Sequence, residues 1–276
     1  MYAGTFSYWV DGPGEPTGAG GFYTLRVTVP PPPVITSVVN AASLRVPIAP
    51  GAVVSIFGTH LASPAKNAPV DPLGMYPTEF GNTTVTVNGV PAPITYAAGS
   101  QMNVLVPHEA EGASSARVVV RHFSQSSAEF VVPIQSTSPA IFTVSQDGNG
   151  QASAIQTEPG SAPVVSRNGP ENPAGPGTII TLFATGAGLW NQEVPVGQLL
   201  LAPQWEPIVA PRAAVSLTIG GKQARLLYAG AAGTSAGMLQ VNAVVPDGLA
   251  PGPQLVELTA GTNSNGATQQ VTISVR

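Results

Sequence analysis

The same strand-and-turn programme is written twice in this chain, and that repetition limits the folds open to it. Pro50-Gly51 opens the run PGAVVSIFGTHL, and Pro176-Gly177 opens PGTIITLFATGAGL; in each a Phe follows the Gly by six positions, as Phe57 and Phe183. VTVNG then ends at Gly89 and LTIGG at Gly221, and a Tyr follows each by seven positions, as Tyr96 and Tyr228. QMNVLVP (Gln101–Pro107) and QVNAVVP (Gln240–Pro246) close the matched stretch with Gln, Asn, Val and Pro in register.

The repeated segments read as strands. Ala52–Phe57, Thr83–Val87, Gln101–Val106, Arg117–Arg121 and Ala128–Val132 are short, rich in β-branched residues and bounded by Gly, Pro or Asn. Short runs with regular turn signals predict antiparallel sandwiches or barrels. No window holds a helical period; His108–Ser115 comes nearest and is broken by Gly112. Asn88-Gly89 and Gly220-Gly221 are hairpin dipeptides, because a type I′ turn needs positive φ at both central residues. The segments after them, Val90–Tyr96 and Lys222–Tyr228, are expected to return as partner strands. In the last motif Met102, Val104 and Val106 share one face and Gln101 and Asn103 the other.

The chain divides into three segments. Residues 34–136 and 137–276 each hold one sandwich. Residues 1–33 hold two strand-like runs, Gly4–Val10 and Gly21–Val29, then Pro30–Pro33, a stiff polyproline II spacer. The two runs read as the closing hairpin of a preceding domain.

These motifs carry a resemblance. VVNAASL, IAPGAVVSIFGTHLA, VTVNGVPAPITYAAGSQMNVLVP, LFATGAG and VSLTIGGKQARLLYAG with LQVNAVVP resemble the Solibacter-type C-terminal domain of large secreted acidobacterial proteins. Its halves are similar to IPT/TIG domains. The resemblance spans about Val34 to Arg276. It implies two tandem immunoglobulin-like, IPT/TIG-like sandwiches and an extracellular or cell-surface location, and it implies no chemistry.

Composition agrees with that location. Charged residues are 9% of 276, against roughly 25% in ordinary soluble domains, and Lys occurs only as Lys66 and Lys222. The net charge of −4, with no basic run, leaves nucleic-acid binding without its electrostatic term. With no Cys, the cores must hold without disulfides. No apolar run is long enough to insert in a membrane, and no signal peptide is visible, so an exported form is expected to derive from a longer precursor.

Gly233-Thr234-Ser235-Ala236-Gly237 matches the nucleophile-elbow pattern, yet a strand-like run follows it and no His lies beyond His122. It reads as a loop. His60, His108 and His122 have no spaced partner for a metal and read as solvated or capping residues. Glu109 with Glu111 and Asp71 with Glu79 sit in loops that nothing places across a cleft. Asp147, Asn149 and Glu158 fall at the first, third and twelfth positions of a calcium loop, but Ala152 stands where a Gly is needed. Asp147–Gly150 therefore reads as a hairpin turn. No catalytic residue, metal ligand or cofactor is assigned.

Two functions remain. The first is a non-enzymatic spacer, stalk or adhesive unit, whose partners are other domains of a larger surface protein or neighbouring copies joined by strand addition. The second is a carbohydrate-binding module that takes polysaccharide on the long connection before Gly221. There Trp190 and Trp205, with Asn191 and Gln204, place rings beside amides. A Trp in a long loop also serves as an apolar anchor.

Overall fold

Alternation in the sequence becomes alternation in burial. Thr83–Val87 buries every second residue, and Met238–Val244 buries Leu239, Val241 and Ala243 between half-exposed neighbours. The computed structural model describes residues 3–9, 22–28, 30–158, 164–200, 208–267 and 269–276, the first two segments by backbone alone.

The first sandwich lies within residues 34–134. One sheet runs in the order Val34–Asn40, Val53–Thr59, Gln101–Leu105, Ile94–Ala97, Lys66–Asn67. The other runs Gln125–Ser126, Ser115–His122, Thr83–Val87, Glu79–Phe80, with Phe130–Pro133 also paired to Ser115–His122. Ile56, Met102 and Val104 meet Val85, Val118 and Val120 between the sheets. The second sandwich repeats the plan within residues 140–275. Val164–Arg167, Ala154–Glu158, Ile179–Thr185, Met238–Val244 and Arg225–Ala231 make one sheet. Gly150–Gln151, Val271–Val275, Gly252–Ala260, Val215–Ile219 and Lys222–Gln223 make the other. Leu182, Leu239 and Val241 meet Leu217, Leu258 and Ile273 in its core. The fold is thus all-β, built of immunoglobulin-like sandwiches, and its helical content among the described residues is two 3₁₀ turns, at His108–Ala110 and Asn265–Ala267.

The hairpin glycines sit where the dipeptides place them: φ is 51° and 83° at Asn88 and Gly89, and 56° and 74° at Gly220 and Gly221. The return strands are a correction. After Gly89 only Val90–Pro91 pairs back with Thr83–Val87; Ile94–Ala97 crosses to the opposite sheet and pairs with Gln101–Leu105. Lys222–Gln223 and Arg225–Ala231 divide in the same way. The crossing point is a buried alanine in both repeats, Ala92 and Ala224, whose N–H donates to Val85 and Leu217 respectively. Only a small side chain fits where a strand dives between two sheets.

Strands Ala3–Trp9 and Phe22–Thr28 form an antiparallel ribbon, with Phe6 opposite Leu25, a little shorter than the sequence runs. Of the prolines after it, Pro31 and Pro32 are exposed, whereas Pro33 is buried at the start of the first sandwich.

Candidate functional site: the joint and groove between the repeats

The connection between the sandwiches is short and bolted down. Thr137 and Ser138 are buried; Thr137 Oγ1 donates to the Ala260 carbonyl at 2.9 Å, and Ser138 Oγ donates to the Pro47 carbonyl at 2.7 Å. Asn40, fully buried, donates from Nδ2 to the Ser138 carbonyl at 2.9 Å, while its Oδ1 accepts from Ala42 N. Thr185 Oγ1 accepts from Val53 N at 2.9 Å and donates to the Gly237 carbonyl at 2.8 Å, tying one strand of each repeat to the loop before Met238. Gln269 Nε2 donates to the carbonyls of Ala42 and Ile141.

Apolar contact adds to these bonds. Val53, Leu105 and Ala236 form a small buried cluster across the joint, flanked by Tyr76, Val196 and Met238. Burying a Val or Leu contributes about 1.5–3 kcal/mol, and each hydrogen bond about 0.5–1.5 kcal/mol net. The two kinds of contact are therefore of similar size here, and the directional bonds fix the angle. The Gly233–Gly237 motif is spent on this contact. It forms the loop before Met238–Val244, and a Cβ on Gly237 would stand 2.2 Å from Leu105 Cδ2 and 2.8 Å from the Gly51 carbonyl.

Beside the joint a groove of about 740 Å³ opens between the two sandwiches. Phe57, Gln101 and Asn103 line it from the first repeat, and Phe142, Gln146 and Phe183 from the second. Register explains the arrangement. Phe57 stands opposite Gln101 and Ser55 opposite Asn103, and the equivalent pairs in the second repeat are Phe183 with Gln240 and Thr181 with Asn242. Gln101 Nε2 donates to Asn103 Oδ1 at 3.0 Å, and Gln240 Nε2 to Asn242 Oδ1 at 3.0 Å. Asn103 Oδ1 also accepts from Ser55 Oγ. The polar faces of the two QxN motifs are thus ordered amide pairs, and the first of them faces the other repeat.

The sequence-assigned ring site divides differently. Trp190 is 7% exposed and belongs to the core of the second sandwich, which fits the anchoring role, and it also lines a cleft with His108, Gln192 and Arg212. Asn191 is occupied locally: Oδ1 accepts from Ala210 N and Nδ2 donates to the Ile208 carbonyl. Trp205 and Gln204 lie outside the described residues.

The remaining candidates are engaged in structure. His122 corrects the solvated reading. It is buried, with Nδ1 2.7 Å from Thr83 Oγ1, and burial holds its imidazole below the usual value against a backbone hydrogen bond involving Asn82. His108 lies half-buried near Gly51, Trp190 and Arg212; burial is the main cause that lowers its pKa, Glu109 opposes and Arg212 reinforces. Asp147 Oδ1 accepts from Ser145 Oγ and Asn149 N, which closes a turn and lowers its pKa. Glu158 is turned to Thr178 Oγ1 and Arg276, away from that turn.

Comparison with known proteins finds a family match over part of the chain. The family model of the IPT/TIG domain matches residues 33–157, which cover the first sandwich and run into the strand Ala154–Glu158 of the second. No curated protein matches the chain. Among solved structures, the I9–I11 tandem from titin is similar at 12% identity, with 99% of this chain and 73% of that one covered and a TM-score of 0.26. Domains 5–6 of the S-layer protein SbsC are similar at 13% identity, with 88% and 98% covered and a TM-score of 0.26. Superpositions this loose add nothing to the fold described above.

Proposed function

We propose that this chain is a non-enzymatic structural module: a rigid two-sandwich spacer or adhesive unit of a larger protein on the outside of the cell. The observation that carries the reading is the joint. Paired domains in one chain move against each other by default. Here a buried connector, the Asn40–Ser138 bond and the Val53–Thr185–Gly237 chain of bonds oppose that motion. A fixed angle is what a spacer needs to hold its neighbours apart. The IPT/TIG match over residues 33–157, in a domain type used for structure and interaction, supports the same reading. So does the commitment of His122 and Glu158 to hydrogen bonds within the fold. Among the described residues no helix is long and apolar enough to cross a membrane. The resemblance to the acidobacterial C-terminal domain supports the extracellular setting, and the partners are adjoining domains or further copies of the chain.

Residual dipolar couplings test the joint. Couplings from both sandwiches should fit one alignment tensor. In Thr185→Val, which keeps the shape but strands the buried Val53 N–H at a cost of about 1–3 kcal/mol, the two sets should begin to diverge. Two independent tensors in the unaltered protein would overturn the rigid-spacer reading.

A further inference from the structure

We propose that the groove between the repeats binds a neutral polysaccharide, a function that goes beyond the spacer reading and uses different residues. Its lining decides the class of ligand. Phe57, Phe142 and Phe183 present half-buried rings, and Gln101, Asn103 and Gln146 present amides. Among the described residues no Asp, Glu, Lys, Arg or His lines the groove. An anionic polymer would find no cation there, and a basic peptide no carboxylate.

Strand order excludes another mode. Peptides often bind by adding a strand to an open sheet edge. The strands Val53–Thr59 and Gln101–Leu105 lie inside their sheet, and Ile179–Thr185 lies inside its own, with partners on both sides. Their main-chain groups are used, so on these strands recognition comes from side chains on the sheet face, completed by Phe142 and Gln146 from the adjoining loop. A sugar ring suits such a surface. Its C–H face packs on a phenyl ring, and its hydroxyls both give and accept hydrogen bonds at the rim.

The amides are held ready for that role. Asn103 Oδ1 is fixed by Ser55 Oγ and Gln101 Nε2, which leaves Asn103 Nδ2 as a donor and Gln101 Oε1 as an acceptor, both without a partner among the described residues. A donor and an acceptor side by side match adjacent hydroxyls. Because the amides are already oriented, little side-chain freedom is lost on binding. A volume of about 740 Å³ also falls in the usual range for ligand clefts.

Affinity electrophoresis tests the inference, with gels containing a β-glucan, a mannan, a xylan or a galactan, and pectate as an anionic control. At least one neutral polysaccharide should retard the protein, and pectate should not. Phe57→Ala and Phe183→Ala should each weaken retardation about tenfold, the loss of roughly one aromatic contact. Gln101→Met, which keeps the side chain's length and leaves Asn103 Oδ1 bonded to Ser55 Oγ, should weaken it with an unchanged melting temperature; this keeps the test clear of folding defects. The inference is overturned if no neutral polysaccharide retards the protein. It is equally overturned if retardation survives these changes and disappears in Trp205→Ala, since the long loop would then be the site. Neither result touches the joint, which the dipolar couplings read separately.

Discussion

A single histidine shows how far one residue's identity departs from its role. His122 reads from the sequence as a solvated or capping residue near a strand end, because nothing near it in sequence marks burial. The structure seats it opposite Thr83, in contact with its hydroxyl, and against Phe123 at a ring-centroid distance of 4.5 Å. Thr83 is 39 positions away, so only the pairing of Thr83–Val87 with Ser115–His122 brings the partner in. This burial has a pH consequence. The folded pKa of His122 lies below its value in the unfolded chain, about 6.5, chiefly through desolvation, and that of His108 is lowered in the same direction. The folded protein therefore binds these protons less well than the unfolded chain does. Stability is complete above about pH 6.5, declines as the pH falls below it, and levels off below the folded values. Thermal midpoints should be lower at pH 5 than at pH 8, and His122→Gln should reduce the difference without removing it, because His108 still titrates. Asp147 has a lowered pKa too, but its contribution is lost only further down, as the pH falls through the carboxylate range.

Elements are legible wherever a local rule fixes them. The dipeptide Asn88-Gly89 announces a turn, and the turn is there with φ of +83° at Gly89. A Cβ at Gly89 would meet nothing within 4 Å, so Gly89→Val isolates the backbone cost from any clash. It should destabilise the first sandwich by about 1–3 kcal/mol, seen as a lower urea midpoint with an unchanged slope. An unchanged midpoint would remove the turn from that position. The segment after the turn reads as one strand in the sequence and is two in the structure. The crossing at Ala92 and Ala224 is set by the gap between two sheets, and the only trace in the sequence is a shared Ala three positions after each Gly. The second sandwich also hides a polar network that no spacing reveals. Asn168 Nδ2 donates to Gln156 Oε1 and the Ser274 carbonyl, while its Oδ1 accepts from Ser274 N and Gln151 Nε2. The groove is half legible: the alternation of QMNVLVP predicts that Gln101 and Asn103 share a face, but the angle between the repeats decides what that face meets.

At the scale of the whole molecule the order of residues along the chain sets the remaining question, which concerns association. Ala3–Trp9 and Phe22–Thr28 pair with each other and, among the described residues, with no further strand. A two-stranded ribbon is marginal in water, because both its edges and one apolar face lack partners. Sheet edges are commonly guarded by Lys, and residues 1–29 contain none. The sandwiches offer edges of their own. Val34–Asn40 ends one sheet of the first, and Val164–Arg167 ends one sheet of the second, with Val164 and Val165 61% and 66% exposed. Reach limits a ribbon to the near end of its own molecule, since four prolines span only about 12 Å as polyproline II, and Pro33 is already buried. A neighbouring copy has no such limit. The full chain should therefore self-associate by strand addition as concentration rises, and a version starting at Val34 should stay monomeric. Light scattering compares the two, and hydrogen exchange reads the ribbon directly. If both versions are monomers of equal stability, and the amides of Phe6–Trp9 and Tyr23–Thr28 exchange at unprotected rates, strand addition is not how this chain meets its neighbours.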